Sequence, residues 1–156
     1  MTESATPLKT LVIGVGNGYR GDDGVGLSVA RHLKDQVPSH VKVVEASGET
    51  TALMALWEEA TVVILIDAVY SGASPGTIHR LDAQQQTTST NFFRGSTHSF
   101  GVAEAIELAR VLNQLPPHLL LYGIEAHHFE EGSSLSPEVE AAAKIVVEQI
   151  LQDLLI

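Results

Sequence analysis

A chain of 156 residues, 44% hydrophobic and 18% charged, is most simply one domain (1–156) with apolar sequence enough for its own core. Nine basic against nineteen acidic residues give a formal charge of −10, which repels phosphate backbones and anionic membrane surfaces and argues against nucleic-acid and membrane partners. Cysteine is absent, which removes disulfides, thiolate metal sites and cysteine nucleophiles together. The N-terminus MTESATPLK carries Glu3 and no long apolar segment, unlike a signal peptide. No apolar run approaches the roughly 20 residues of a membrane span, so a cytoplasmic location is expected.

Residues 9–15 read as a buried strand running into a glycine-rich turn. From Asp23 onward Val25, Val29, Ala30 and Leu33 recur at helical spacing, which predicts a helix over 23–36, stopped by Pro38. VKVVEA (41–46) is a second strand, and 50–59 a short helix with Leu53, Leu56 and Trp57 turned inward. TVVILIDAV (61–69) is almost uninterruptedly apolar and β-branched, as a parallel strand covered on both faces would be. After the turn SGASPG, GTIHRLD (76–82) alternates like a strand. A parallel crossover needs about a dozen residues, so this strand is expected to run antiparallel to its predecessor. AQQQTTSTN (83–91) reads as a polar loop. GVAEAIELARVLNQL (101–115) is an amphipathic helix whose buried side is Ala103, Ile106, Leu108, Ala109 and Leu112, ended by Pro116 and Pro117. HLLLYGIEA (118–126) is a further buried strand. Ser136 and Pro137 cap and open a last helix, with Glu138 and Glu140 favouring its dipole.

That order predicts an α/β fold: a three-layer sandwich around a mostly parallel, doubly wound sheet of about five strands, one of them antiparallel. Right-handed crossovers and the order 2-1-3 place the first and third strands side by side. Ligands in such sheets bind at the carboxyl ends of the strands, beside that switch point. The loop after the first strand carries Asp22 and Asp23, and the third strand ends in Asp67, so acids converge on one crevice.

Two ligands compete for it. Gly16, Gly18 and Gly21 spell G-x-G-x-x-G, and Glu45 ends the second strand where a ribose would be held. A pyrophosphate, however, binds the positive field of a helix N-terminus, and two aspartates there oppose it. One of them would serve as the helix N-cap, a role assigned to Asp22 or shared by the two, and one cap does not explain two acids. A cation suits the acids better: Asp23 and Asp67 repel each other when bare. GSTHSFG (95–101) offers His98 as a third ligand just before a helix, although a lone loop histidine is more often bonded to backbone. Two carboxylates and one imidazole with open positions suit zinc, nickel, manganese or iron better than calcium. His79 reads as structural or exposed, and His32, His40 and His118 as surface residues. His127 and His128 follow the last strand and are either an auxiliary metal contact or part of an exposed loop.

No H-E-x-x-H helix or P-loop is present, and GASPG (72–76), which has the letters of G-x-S-x-G, falls in the turn between two strands and not at a strand-to-helix elbow. The stretches VIGVGNGYRGDDGVG, ILIDAVYSGASPGTIHRLD, STHSFGVAEAIELA, LYGIE and a terminal LSPEV helix together resemble the nickel–iron hydrogenase maturation endopeptidases. The resemblance extends from about Lys9 to the last helix. It implies an endopeptidase that removes the C-terminal extension of a nickel–iron hydrogenase large-subunit precursor after nickel insertion, with nickel as recognition element. It also implies that Asp23, Asp67 and His98 are metal ligands and that Asn17 contacts substrate or shapes the site. Nickel would be carried by the substrate, with another divalent ion such as zinc as the alternative. Asp23 and Asp67 are the carboxylates offered for general-base work. The chain departs from the family at Gly18–Tyr19, where bulkier residues are common. It departs again at VVEASGET, where some relatives carry an acid, and no catalytic duty is assigned to Glu45 or Glu49. The competing reading is a small α/β nucleotide- or metal-binding module without peptidase activity.

Overall fold

Five strands form one sheet whose order, β2-β1-β3-β5-β4, follows from the crossovers that the helices impose. The computed structural model describes residues 9–16, 21–83, 99–127 and 134–154. Strand β1 (Thr10–Val15) lies between β2 (Val41–Ala46) and β3 (Val62–Val69), parallel to both. Strand β5 (His118–Glu125) pairs parallel to β3, and β4 (Ile78–Asp82) closes the edge antiparallel to β5. The expected α/β architecture, with 2-1-3 order and one antiparallel strand, is what the chain adopts. β4 does run opposite to β3, but the two are not neighbours, because β5 lies between them.

The β-branched run of β3 is buried on both faces because helices cover both. Helices α1 (Val25–Leu33) and α4 (Pro137–Leu154) pack on the side shown by Ile64, Ile66 and Ala68. Helices α2 (Thr50–Trp57) and α3 (Ser99–Val111) pack on the side shown by Val63, Leu65 and Val69. Along α4 the buried positions are Val139, Ala142, Ala143, Val146, Val147 and Ile150, an i, i+3, i+4, i+7 stripe. Fully burying one such valine or isoleucine contributes about 1.5–3 kcal/mol, and this packing, more than intrinsic propensity, holds the helix.

Several expected boundaries and burials shift. Helix α1 ends at Leu33, earlier than the 23–36 span, and Gln36 and Val37 fold back to the Leu33 carbonyl. On α2, Leu53 and Trp57 are buried but Leu56 is exposed. On α3 the inward stripe is Val102, Ala103, Ala105, Ile106 and Ala109, while Leu108 and Leu112 are exposed. Small residues let this helix lie close to the sheet, so its bulkier leucines fall on the flank. The polar stretch after Ala83 lies outside the described residues.

Candidate active site

Two glycines bring the acids to the sheet. The backbone of Gly26, in the first turn of α1, abuts the ends of β1 and β3. A Cβ on it would stand 2.2 Å from the Val15 carbonyl oxygen and 2.5 Å from that of Ile66. A Cβ on Gly16 would meet the Asp23 carbonyl oxygen at 2.2 Å. Real Cβ atoms do not approach so closely, so only glycine fits at either position. Gly16 also donates its N–H to the Ala46 carbonyl (3.0 Å), fixing the exit of β1 against β2. Asp23 therefore rests on the end of β1. It lies one turn before the residue that touches Ile66, the neighbour of Asp67. These glycines serve close packing of helix on sheet.

The carboxylates are buried there. Asp67 is 0% and Asp23 3% exposed. Asp67 is the acid in an otherwise apolar strand, and its Oδ1 accepts the N–H of Ala68 (2.8 Å). By alternation along β3 it belongs to the face covered by α2 and α3, and α3 begins at Ser99. Two anionic groups in a protected crevice are stable together only with a proton, donors or a cation between them.

The expected N-cap role of Asp22 is not what the chain does. Residues Gly21–Gly24 form a 3-10 turn, and α1 is entered through Gly24 with no side-chain cap. The fully buried Asp22 carboxylate turns instead to the opposite end of the chain. Its Oδ1 accepts the Ser136 N–H (2.7 Å), and its Oδ2 accepts the His127 N–H (2.7 Å) and the Ser136 hydroxyl (2.8 Å). Ser136 does open α4, its carbonyl taking the N–H of Glu140 (2.8 Å). The two adjacent acids are thus divided: Asp22 joins the turn to β5 and α4, and Asp23, its carbonyl against Gly16, is buried at the exit of β1.

Of the remaining expected residues, His98, Asn17 and His128 lie outside the described residues. His127 is exposed, and its backbone N–H is what reaches Asp22. Among the described residues no three His, Asp or Glu gather closely enough to hold a metal ion. Glu45, the would-be ribose acid, is held by Arg31, whose Nε and Nη2 lie 3.1 and 3.0 Å from its oxygens. That hydrogen bond and the adjacent guanidinium lower its carboxyl pKa below the ordinary value. Glu49 caps α2, accepting the Thr51 N–H (3.1 Å) and bonding the Thr51 hydroxyl, which holds its pKa down as well.

One polar group escaped the sequence reading. Glu125, 1% exposed at the carboxyl end of β5, accepts the Ser71 N–H (2.7 Å) and hydroxyl (2.6 Å) and bonds His79 Nε2 (3.0 Å). It fastens the link after β3 to β4 and β5. The signal was available: Glu125 is the acid that ends an apolar strand, as Asp67 nearly does in β3.

Residues 27–153 match the family model for the hydrogenase maturation protease, HycI. The chain belongs to the hydrogenase maturation protease family. It is 30% identical over 142 residues to the hydrogenase expression/formation protein HupD of Bradyrhizobium diazoefficiens, covering 89% of this chain and 74% of that one. To HupD of Thiocapsa roseopersicina it is 29% identical over 145 residues, 91% of this chain, and spans 66% of that protein's length. The solved structure of the hydrogenase maturating endopeptidase HybD from Escherichia coli superposes with a TM-score of 0.82 at 26% identity, over 94% of this chain and 92% of that one. The resemblance read from the motifs is borne out, and with it the hydrogenase maturation endopeptidase assignment. Among the described residues no helix is long and apolar enough to cross a membrane.

Proposed function

We propose that this maturation protease removes the C-terminal extension of a nickel–iron hydrogenase large-subunit precursor in the cytoplasm, after nickel has been inserted. The observation that carries the reading is the placement of two buried carboxylates, Asp23 and Asp67, at the carboxyl end of the β1–β3 pair. A carboxylate there takes a proton from water as the oxygen attacks the scissile carbonyl. The C–N bond then breaks, and the departing amine takes up a proton. Low solvent access strengthens these electrostatic contacts.

Nickel is read as part of the substrate. Oxygen and nitrogen donors from Asp23, Asp67 and His98 suit such an ion, whose presence in the precursor would license docking. A zinc ion held by the same residues is the alternative; it would supply polarisation of the carbonyl. Asn17, which precedes the acids in the sequence, would contact the substrate backbone.

The deciding experiment incubates the host's own precursor, nickel-loaded or nickel-free, with the protein and follows it by mass spectrometry. Loss of a C-terminal peptide from the nickel-loaded form alone, abolished by Asp23→Ala, is the expected result. Equal cutting of both forms would end the nickel-recognition reading. No cutting of a verified nickel-loaded precursor would end the peptidase assignment.

A further inference from the structure

We infer that Asp22, the first acid of the GDDG turn, is a positioning residue that holds Asp23 in its working place. The inference rests on the reading of Asp23 as a working group of the peptidase.

The turn that carries Asp23 is four residues long, and its entry into α1 has no side-chain cap to steady it. Its fixed points are steric on one side, where Gly16 and Gly26 press against backbone. On the other side the fixed point is polar. The Asp22 carboxylate is 0% exposed and receives donors that stand 105 and 114 residues further along the chain. Both oxygens are used, and the donors come from two different elements: the end of β5 at His127 and the start of α4 at Ser136.

A buried carboxylate is costly unless donors surround it, and this one is supplied with two backbone N–H groups and a hydroxyl. The arrangement is directional, because a carboxylate accepts at both oxygens at once. An amide in its place offers one accepting oxygen and turns an NH2 group towards a donor. The Asp22 side chain therefore defines where the turn stands relative to β5 and α4. Asp23, next along the chain, inherits that placement. Asp67 sits within the central strand β3, paired with Gly123 of β5 one residue beyond the end of the ladder to β1, so its backbone is placed by the sheet itself. Asp22 thus ties the turn that carries Asp23 to β5 and α4, and through it the place of Asp23 relative to Asp67. A misplacement of about 1 Å at a reacting group can lower turnover on the order of a hundredfold.

The test compares wild type, Asp22→Asn and Ser136→Ala by three measurements. These are the thermal midpoint, kcat and KM for cutting the nickel-loaded precursor, and amide hydrogen exchange read residue by residue by NMR. In Asp22→Asn, kcat is expected to fall at least about tenfold with KM within about twofold. Exchange should quicken at Asp23 and Gly24, while the amides of Leu65 and Ile66 keep their protection. Ser136→Ala removes one donor and keeps the backbone N–H, so it should show the same pattern with a smaller fall. Unchanged exchange at Asp23 and Gly24 overturns the inference. So does loss of protection spread evenly over the sheet, which would mark Asp22 as a general stabiliser. If Asp22→Asn fails to fold, the Ser136→Ala exchange pattern decides by the same criteria. If the wild type itself cuts no verified precursor, the peptidase reading fails, and the exchange comparison still decides whether Asp22 places Asp23.

Discussion

The α-carbon of Gly26 faces the carbonyl oxygen of Ile66 so closely that a Cβ there would stand 2.5 Å from it, and 2.2 Å from that of Val15. The contact seats the first turn of α1 on the ends of β1 and β3, one turn after Asp23 and beside the residue that precedes Asp67. Gly26→Ala must therefore push backbone from backbone, and the neighbours are not flexible side-chain tips. The expected loss is at least about 3 kcal/mol, the upper range for overpacking. Gly72 provides the comparison: its φ is +95 with nothing within 4 Å of an added Cβ, so Gly72→Ala should cost only about 1 kcal/mol of backbone strain. Urea denaturation of both variants checks the ranking, and equal midpoints would contradict it.

Asp67 is expected to cost stability while it serves activity. Its side chain is fully buried at the carboxyl end of an otherwise apolar strand, and its Oδ1 takes the Ala68 N–H, a bond an amide oxygen can keep. Asp67→Asn removes a charge without changing shape. Cleavage of the precursor should fall by about a hundredfold or more, while the thermal midpoint rises by a few degrees, on the order of 1 kcal/mol. Calorimetry without added metal checks this, and a lowered midpoint would show that the charge is already well compensated.

Glu125 is the opposite case, a buried carboxylate that its surroundings require. Ser71 donates through both N–H and hydroxyl, and His79 Nε2 lies at 3.0 Å. Glu125→Ala strands these groups and should destabilise by about 3 kcal/mol, the range for breaking one side of a buried polar pair. Glu125→Gln, which keeps one accepting oxygen, should lose roughly half as much. Two-state denaturant midpoints for the pair of variants test the ordering.

The sheet was legible in the sequence because uninterrupted apolar runs bounded by turns have few other uses, and handed crossovers fix where β1 and β3 meet. Asp67 stood out for the same reason, as a charge inside such a run. The position of β4 was less accessible. A short link shows that direction reverses, but it does not say that β5 will insert between β3 and β4. Leu108 and Leu112 were assigned inward because size draws the eye, whereas α3 turns alanine and valine to the sheet. The division of labour between Asp22 and Asp23 could not be read locally at all. It is set by Ser136 and His127, partners that only the fold brings near.

Tyr122 gives a pH signature far from the acids. Its ring is buried in the layer between the sheet and α4, and its hydroxyl donates to Asp153 Oδ2 (2.6 Å). Arg80 donates through Nε to the same hydroxyl (3.1 Å) and through Nη2 to Asp153 Oδ1 (3.1 Å). Burial, followed by the hydrogen bond to Asp153, pushes the phenol from 10.0 up to about 12, against the opposing pull of Arg80. A raised folded value means that the native state holds its proton more tightly than the unfolded chain. The associated stability is complete below pH 10 and is lost as pH climbs from 10 to about 12. Tyr122→Phe keeps the ring and removes the titrating group. At pH 8 it should be less stable by about 1 kcal/mol, one hydrogen bond to a charged partner partly offset by the released desolvation. Between pH 10 and about 12 the gap between wild type and variant should shrink, because only the wild type loses this contribution. Urea midpoints at pH 8, 10 and 11.5 would show it; a constant gap would mean that Tyr122 titrates like a phenol in water, and a widening one that the fold favours its phenolate.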